Sequence, residues 1–154
     1  MNDWTVDGIL NLTKTLVFRK GIKGLILDPW NEFDHSRKDN MNETEYISGS
    51  LTKIRRFARL NGVHVWVVAH PRKIMWDKEK GMHMMPTLYD INGSANFYNR
   101  ADMGIVIHRN PRDNMVPTTV SIQKVRFKRN GKIGDVYLDF DLLTNRYSDS
   151  SYEF

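Results

Sequence analysis

Residues 63–69 read VHVWVVA and stop at His70-Pro71, and an earlier run, Leu25-Ile26-Leu27-Asp28, stops at Pro29. Both are short, apolar and rich in branched side chains, as strands covered on both faces of a parallel sheet are. Parallel neighbours need a crossover, and the residues between the two runs supply one. Asn42 with Glu45 three residues on has the spacing of a capping box, with Asn in place of the usual Ser or Thr. Ile47, Leu51, Ile54 and Ala58 then form a helical stripe that Asn61-Gly62 brings to a stop. Working backwards, Val6, Ile9, Leu10, Leu16 and Val17 share one helical face within residues 4–20, and Gly21 and Gly24 punctuate the passage into the first strand.

Working forwards, residues 72–86 are charged and methionine-rich with no period, which predicts a long loop where the second strand emerges. A helical stretch over 87–100, interrupted by Gly93 and Ser94, leads into a third apolar strand at 103–107. After the loop HRNPRDNMVP come strand candidates at 118–127 and 135–140, joined through Asn130-Gly131, a hairpin signal that makes them antiparallel. The order helix, strand, helix, strand, helix, strand, hairpin predicts an α/β fold: a mostly parallel sheet flanked by helices, closed by an antiparallel hairpin.

Composition sets the frame. With 154 residues and 40% apolar side chains, one domain spanning 1–154 can bury its own core. No apolar run approaches the roughly 20 residues of a membrane helix, so no membrane partner is expected. The opening MNDWTVDG lacks a secretion signal, and zero cysteines exclude disulfides and thiolate metal sites, which fits a cytoplasmic setting. A formal net charge of +5 permits a polyanionic partner without demanding one.

Three features carry chemistry. An apolar strand ending in aspartate has the form of a Walker B element, whose carboxylate holds Mg2+ beside nucleotide phosphates, although a strand-end Asp is more often a turn residue. His70 closes the next strand, and polar residues at the carboxyl ends of neighbouring parallel strands face one crevice. It lacks the companion ligands of a metal site. In Gln123-Lys124-Val125-Arg126-Phe127-Lys128-Arg129, the two-residue period puts Lys124, Arg126 and Lys128 on one face, either as a solvated edge or as a row meeting phosphates.

Together LILDPWNEFD, VVAHPRK, DINGSANFYNRADMGIVIHR and QKVRFKRNGKIGDVYLDFD resemble, in order and over nearly the whole chain, the DnaB-type hexameric replicative helicases, most nearly the primase-helicases of phages and mitochondria. The resemblance implies the C-terminal part of a RecA-like motor domain. It makes Asp28 the carboxylate on Mg2+, His70 the phosphate sensor, and Lys124-Val125-Arg126-Phe127 the stretch that reaches the adjacent subunit's nucleotide. Arg126 is then the arginine finger, with Arg129, before Asn130-Gly131, as second choice. It also places DNA-gripping loops at 71–93 and 109–117, nominating Arg72, Lys73, Arg109 and Arg112 for contacts to single-stranded DNA. Trp76 is the one aromatic in those loops that stands out as a stacking group, so contact there is expected to be electrostatic and indifferent to sequence. The implied setting is a homo-hexamer using ATP and Mg2+, working with a primase domain or protein, in a phage- or mobile-element-encoded system of a bacterial host.

The departures are equally informative. No Gly-x-x-x-x-Gly-Lys-Ser/Thr loop occurs in the chain, nor does a strand bearing the glutamate that activates water upstream of Asp28. Without amides and a lysine around the phosphates, the isolated chain is expected to hold no nucleotide tightly and to be inactive alone, as a fragment or a truncation. The alternative is a non-catalytic RecA-like module that binds nucleic acid or a helicase subunit, and a recombinase-type relative is a third reading. Eight methionines, several of them between Met75 and Met85, suit packing filler or a sticky surface alike.

Overall fold

The computed structural model describes residues 4–33, 42–79, 81–91, 94–110 and 116–151. These fall into two compact units, one of residues up to His70 together with Ala95–Arg100, the other of Pro71–Ser94 and the residues from Ala101 onwards.

The first unit is built on α1 (Val6–Lys20), β1 (Gly24–Leu27), α2 (Glu43–Asn61) and β2 (His64–Val67), joined by most of α3 (Ser94–Arg100). Thr5 caps α1 by accepting from the Gly8 N–H, and α1 ends on Gly21 in the left-handed region. The expected capping box is present at α2: Asn42 accepts from the Glu45 N–H at 2.8 Å while the Glu45 carboxylate accepts from the Asn42 N–H at 3.3 Å. Gly62 ends the helix at φ 59°, a conformation that strains any residue with a Cβ. Ile47, Leu51 and Ile54 are buried along the predicted stripe, each contributing about 1.5–3 kcal/mol by leaving water. Lys53 pairs with Asp7 at 2.6 Å between α2 and α1, but both are exposed, so the pair adds little stability.

β1 and β2 pair in parallel, Leu25 opposite Val65 and Leu27 opposite Val67. The sheet is not covered on both faces as the apolar run suggested. Leu27 is buried, yet Ile26 and its cross-strand partner Trp66 are 67% and 50% exposed, and Val68 also faces solvent. Apolar composition records what a face would bury, not whether a cover lies within the chain.

In the second unit, β5 (Met103–His108), β6 (Thr118–Val125), β7 (Gly134–Asp141) and β8 (Arg146–Asp149) form one antiparallel sheet in sequential order. β5 was expected to extend the parallel sheet; among the described residues its strand partner is β6. β8 was not foreseen, because RYSD has no apolar alternation and all four of its residues are exposed. The supposed structureless loop contains a small hairpin, β3 (Trp76–Asp77) with β4 (Met82–His83). The helix expected over 87–100 is a 3-10 turn at Leu88–Asp90 followed by the short α3. Leu88 lies so close over Gly104 that a Cβ there would collide with its side chain, which explains a glycine inside an otherwise apolar strand.

Replacing Asn42 by Ala removes a side-chain acceptor from the first turn of α2 and should lower stability by about 1 kcal/mol in urea unfolding. Replacement by Asp, which keeps the acceptor, should leave the unfolding midpoint close to that of the native chain.

Candidate nucleotide and nucleic-acid site

Parallel pairing decides where Asp28 and His70 emerge. The Val68 N–H donates to the Leu27 carbonyl at 2.9 Å and the Trp30 N–H donates to the Val68 carbonyl at 2.7 Å, so the two chains stay laced one step past the strands. Asp28 follows β1 and His70 lies three residues past the end of β2, both exposed, at the same carboxyl rim of adjacent strands. The Asp28-Pro29 peptide is cis, and Trp30, buried, packs edge-on against Phe33 and Phe97 beneath this rim. Arg100 donates to Ser48 Oγ at 3.2 Å and Asn96 to the Thr44 carbonyl at 3.1 Å, tying α3 to α2.

Among the described residues no cluster of three or more His, Asp or Glu side chains is placed to cage a metal. A lone strand-end carboxylate suits Mg2+, which keeps much of its shell for water and phosphate oxygens and takes one or two carboxylates from a protein. Asp28 therefore fits the metal the resemblance implies.

The basic segment departs from the expected row. β6 ends at Val125, Arg126 and Phe127 bend away, and Lys128–Asn130 form a 3-10 turn, so Lys124, Arg126 and Lys128 do not line one strand face. A register shift between Gly104 and Ile105 lies opposite this segment: Gly104 pairs Lys124 and Ile105 pairs Ile122, leaving Gln123 as the extra residue of a bulge. Lys124 is half-buried within the strand, whereas Arg129 is exposed in the turn. Arg126 is half-buried, its Nε 3.3 Å from Asp102 Oδ1.

Three of the four residues nominated for DNA contact can be placed; Arg112 lies outside the described residues. Arg72 is exposed but tethered: its backbone N–H donates to the Asp90 carbonyl at 2.6 Å and its Nη2 to the Tyr89 carbonyl at 3.4 Å. Lys73 is exposed. The Arg109 guanidinium carbon lies over the Phe140 ring, 4.2 Å from its centroid, and the Phe140 and Tyr147 rings meet at a 49° tilt with centroids 4.8 Å apart. The Arg109 contact is cation–π.

Sequence reasoning missed the partners that hold these groups. Gln123 accepts from the Leu88 N–H at 2.9 Å and donates to the Pro86 carbonyl at 3.0 Å, pinning the 86–90 turn to β6. A glutamine inside an otherwise β-favouring strand was the available signal. In that turn, the Asp90 carboxylate accepts from the Thr87 N–H at 2.7 Å and from its hydroxyl at 2.8 Å. The backbone bond first, then the hydroxyl and the charge of Arg72, hold the Asp90 carboxyl below its ordinary value. Its capping stability is thus present above the unfolded pKa and lost as pH falls through the lower folded one. In an NMR carboxyl titration, Thr87→Ala should move the Asp90 midpoint upward; an unmoved midpoint would mean that the hydroxyl bond contributes nothing in solution.

No family model matches the sequence. The chain is 47% identical over 150 residues, 95% of its length, to the Twinkle homolog protein, chloroplastic/mitochondrial, of Arabidopsis thaliana, and spans 20% of that relative. It superimposes on a solved ATPase domain with a TM-score of 0.72 at 21% identity, covering 96% of this chain and 52% of the other. The chain thus spans about a fifth of its curated relative and half of its structural one. With an organelle-labelled plant relative, the phage-encoded bacterial setting expected from the motifs finds no support. Among the described residues no helix is long and apolar enough to cross a membrane. Kinship along almost the entire sequence, with an α/β fold matching half of an ATPase domain, makes this chain a member of the DnaB-type helicase family, corresponding to the C-terminal part of its RecA-like domain.

Proposed function

We propose that this chain supplies the metal-side, sensing and inter-subunit residues of an ATP-driven ring that translocates on single-stranded DNA. The supporting observation is the shared rim: Asp28 and His70 follow adjacent parallel strands at their carboxyl ends, where ligands of open α/β sheets bind. Asp28 holds Mg2+ directly or through water, which neutralises charge on the phosphates. His70 faces the phosphate end of the same crevice and reads its state through hydrogen bonding. Arg126 acts on the nucleotide of a neighbouring subunit, where a guanidinium fork matches phosphate oxygens. Lys124 supports the same segment, and Arg129 is the alternative finger.

Contact with single-stranded DNA rests on Lys73 and Arg109, with Arg72, which also ties to the 88–90 turn, and Arg112 as further candidates. The ring is a homo-hexamer whose phosphate-binding loop lies in the wider protein, and a primase domain or protein is its working partner. ATP and Mg2+ belong to that whole assembly.

In the full-length protein, Asp28→Ala and Arg126→Ala should each lower DNA-stimulated ATP hydrolysis by at least about a hundredfold, in line with the rate carried by metal and arginine contacts to a transferring phosphoryl group. Normal hydrolysis by both would remove the assignment and favour a non-catalytic binding module.

A further inference from the structure

Arg126 stands one residue beyond the end of β6, where the strand period no longer sets the direction of a side chain. Asp102, the residue in front of β5, holds Arg126 at both main chain and side chain. The Arg126 N–H donates to the Asp102 carbonyl at 2.9 Å, continuing the β5–β6 ladder by one rung, and the Asp102 carboxylate meets Arg126 Nε at 3.3 Å. Main chain and side chain are therefore held by the same partner, with the side chains 27% and 45% exposed. Gly104, two residues on, lets Leu88 pack against this end of β5, and Gln123 fixes the bulge three residues before Arg126, so both anchors of the pair rest on built structure.

From this geometry we propose that Asp102 is a positioning residue for Arg126: it orients the guanidinium toward the nucleotide of the adjacent subunit. The inference rests on the reading of Arg126 as the residue that crosses to that nucleotide. An arginine side chain carries about 2 kcal/mol of rotamer entropy, and its planar fork is useful only in one orientation. Holding Nε fixes the plane of the group. A half-exposed ion pair contributes at most about 1 kcal/mol to folding, so the value of this one lies in geometry and not in stability. Lys124 and Lys128, the neighbouring cations, have no equivalent of Nε and cannot be oriented in the same way.

The test uses the full-length protein with Asp102→Asn, Asp102→Glu and Arg126→Ala. Asp102→Asn should lower kcat about tenfold or more, since a misplacement near 1 Å can cost about a hundredfold, while KM for ATP changes little. Without turnover, the same variant should bind ADP with aluminium fluoride about tenfold more weakly, with its affinity for ADP alone preserved, because the finger acts on the transferring group. Its melting temperature should match the native protein. Asp102→Glu, which restores the carboxylate, should recover a large part of both losses, and it carries the test if the asparagine variant does not fold. Native kcat and native fluoride-complex affinity in Asp102→Asn would overturn the proposal, as would a loss that appears only as a lowered melting temperature. If Arg126→Ala hydrolyses ATP normally, the finger reading itself is wrong and Asp102 falls with it.

Discussion

The parallel pairing of β1 with β2 is the constraint on which the rest of the first unit depends. Two parallel strands cannot be joined by a tight turn, so the chain must travel back along the sheet, and α2 is the element that does so. The register that brings Leu27 opposite Val67 sends both following segments out on one side. A carboxylate and an imidazole separated by 42 positions in sequence thereby share one rim without any bond between them. The stripe Ile47, Leu51 and Ile54 stabilises the crossover, and the hydrogen bonds from Val68 and Trp30 extend the lacing past the strands.

The second unit solves a different problem, that of aiming basic side chains. An isolated Lys or Arg on a strand points where the pleat sends it, and a bulge changes that direction. Here Gln123 is the inserted residue, and its amide spends both its donor and its acceptor on the 86–90 turn. The consequences reach Arg72, tied to that turn, and Arg126, tied to Asp102. Arg109 is held in yet another way, by the face of Phe140. Three arginines that look alike as exposed cations in sequence thus have three distinct environments, one against carbonyls, one against a carboxylate and one against a ring.

Much of this was legible beforehand where the signal is local. Asn42 with Glu45, the left-handed Gly62 and the apolar stripe of α2 each encode a short-range geometry, and each is found as read. The parallel pair followed from two apolar runs with a helix between them. Long-range facts were not legible. Nothing in RYSD marks a strand, because β8 is exposed and held by its pairing with β7 and the contact of Tyr147 with Phe140. Nothing in VHVWVVA shows that Trp66 meets solvent, since burial depends on a partner that periodicity does not see. The basic row read from Lys124, Arg126 and Lys128 assumed an unbroken strand, and the bend after Val125 removed that assumption.

The rim beyond β1 and β2 is the location where nucleotide and metal are expected to meet. A cryo-electron microscopy structure of the full-length protein with Mg2+ and a non-hydrolysable ATP analogue addresses it directly. Metal density is expected at the Asp28 carboxylate, or one water away, with the His70 ring turned toward the terminal phosphate. Nucleotide bound elsewhere, with Asp28 and His70 both facing bulk solvent, would contradict that arrangement.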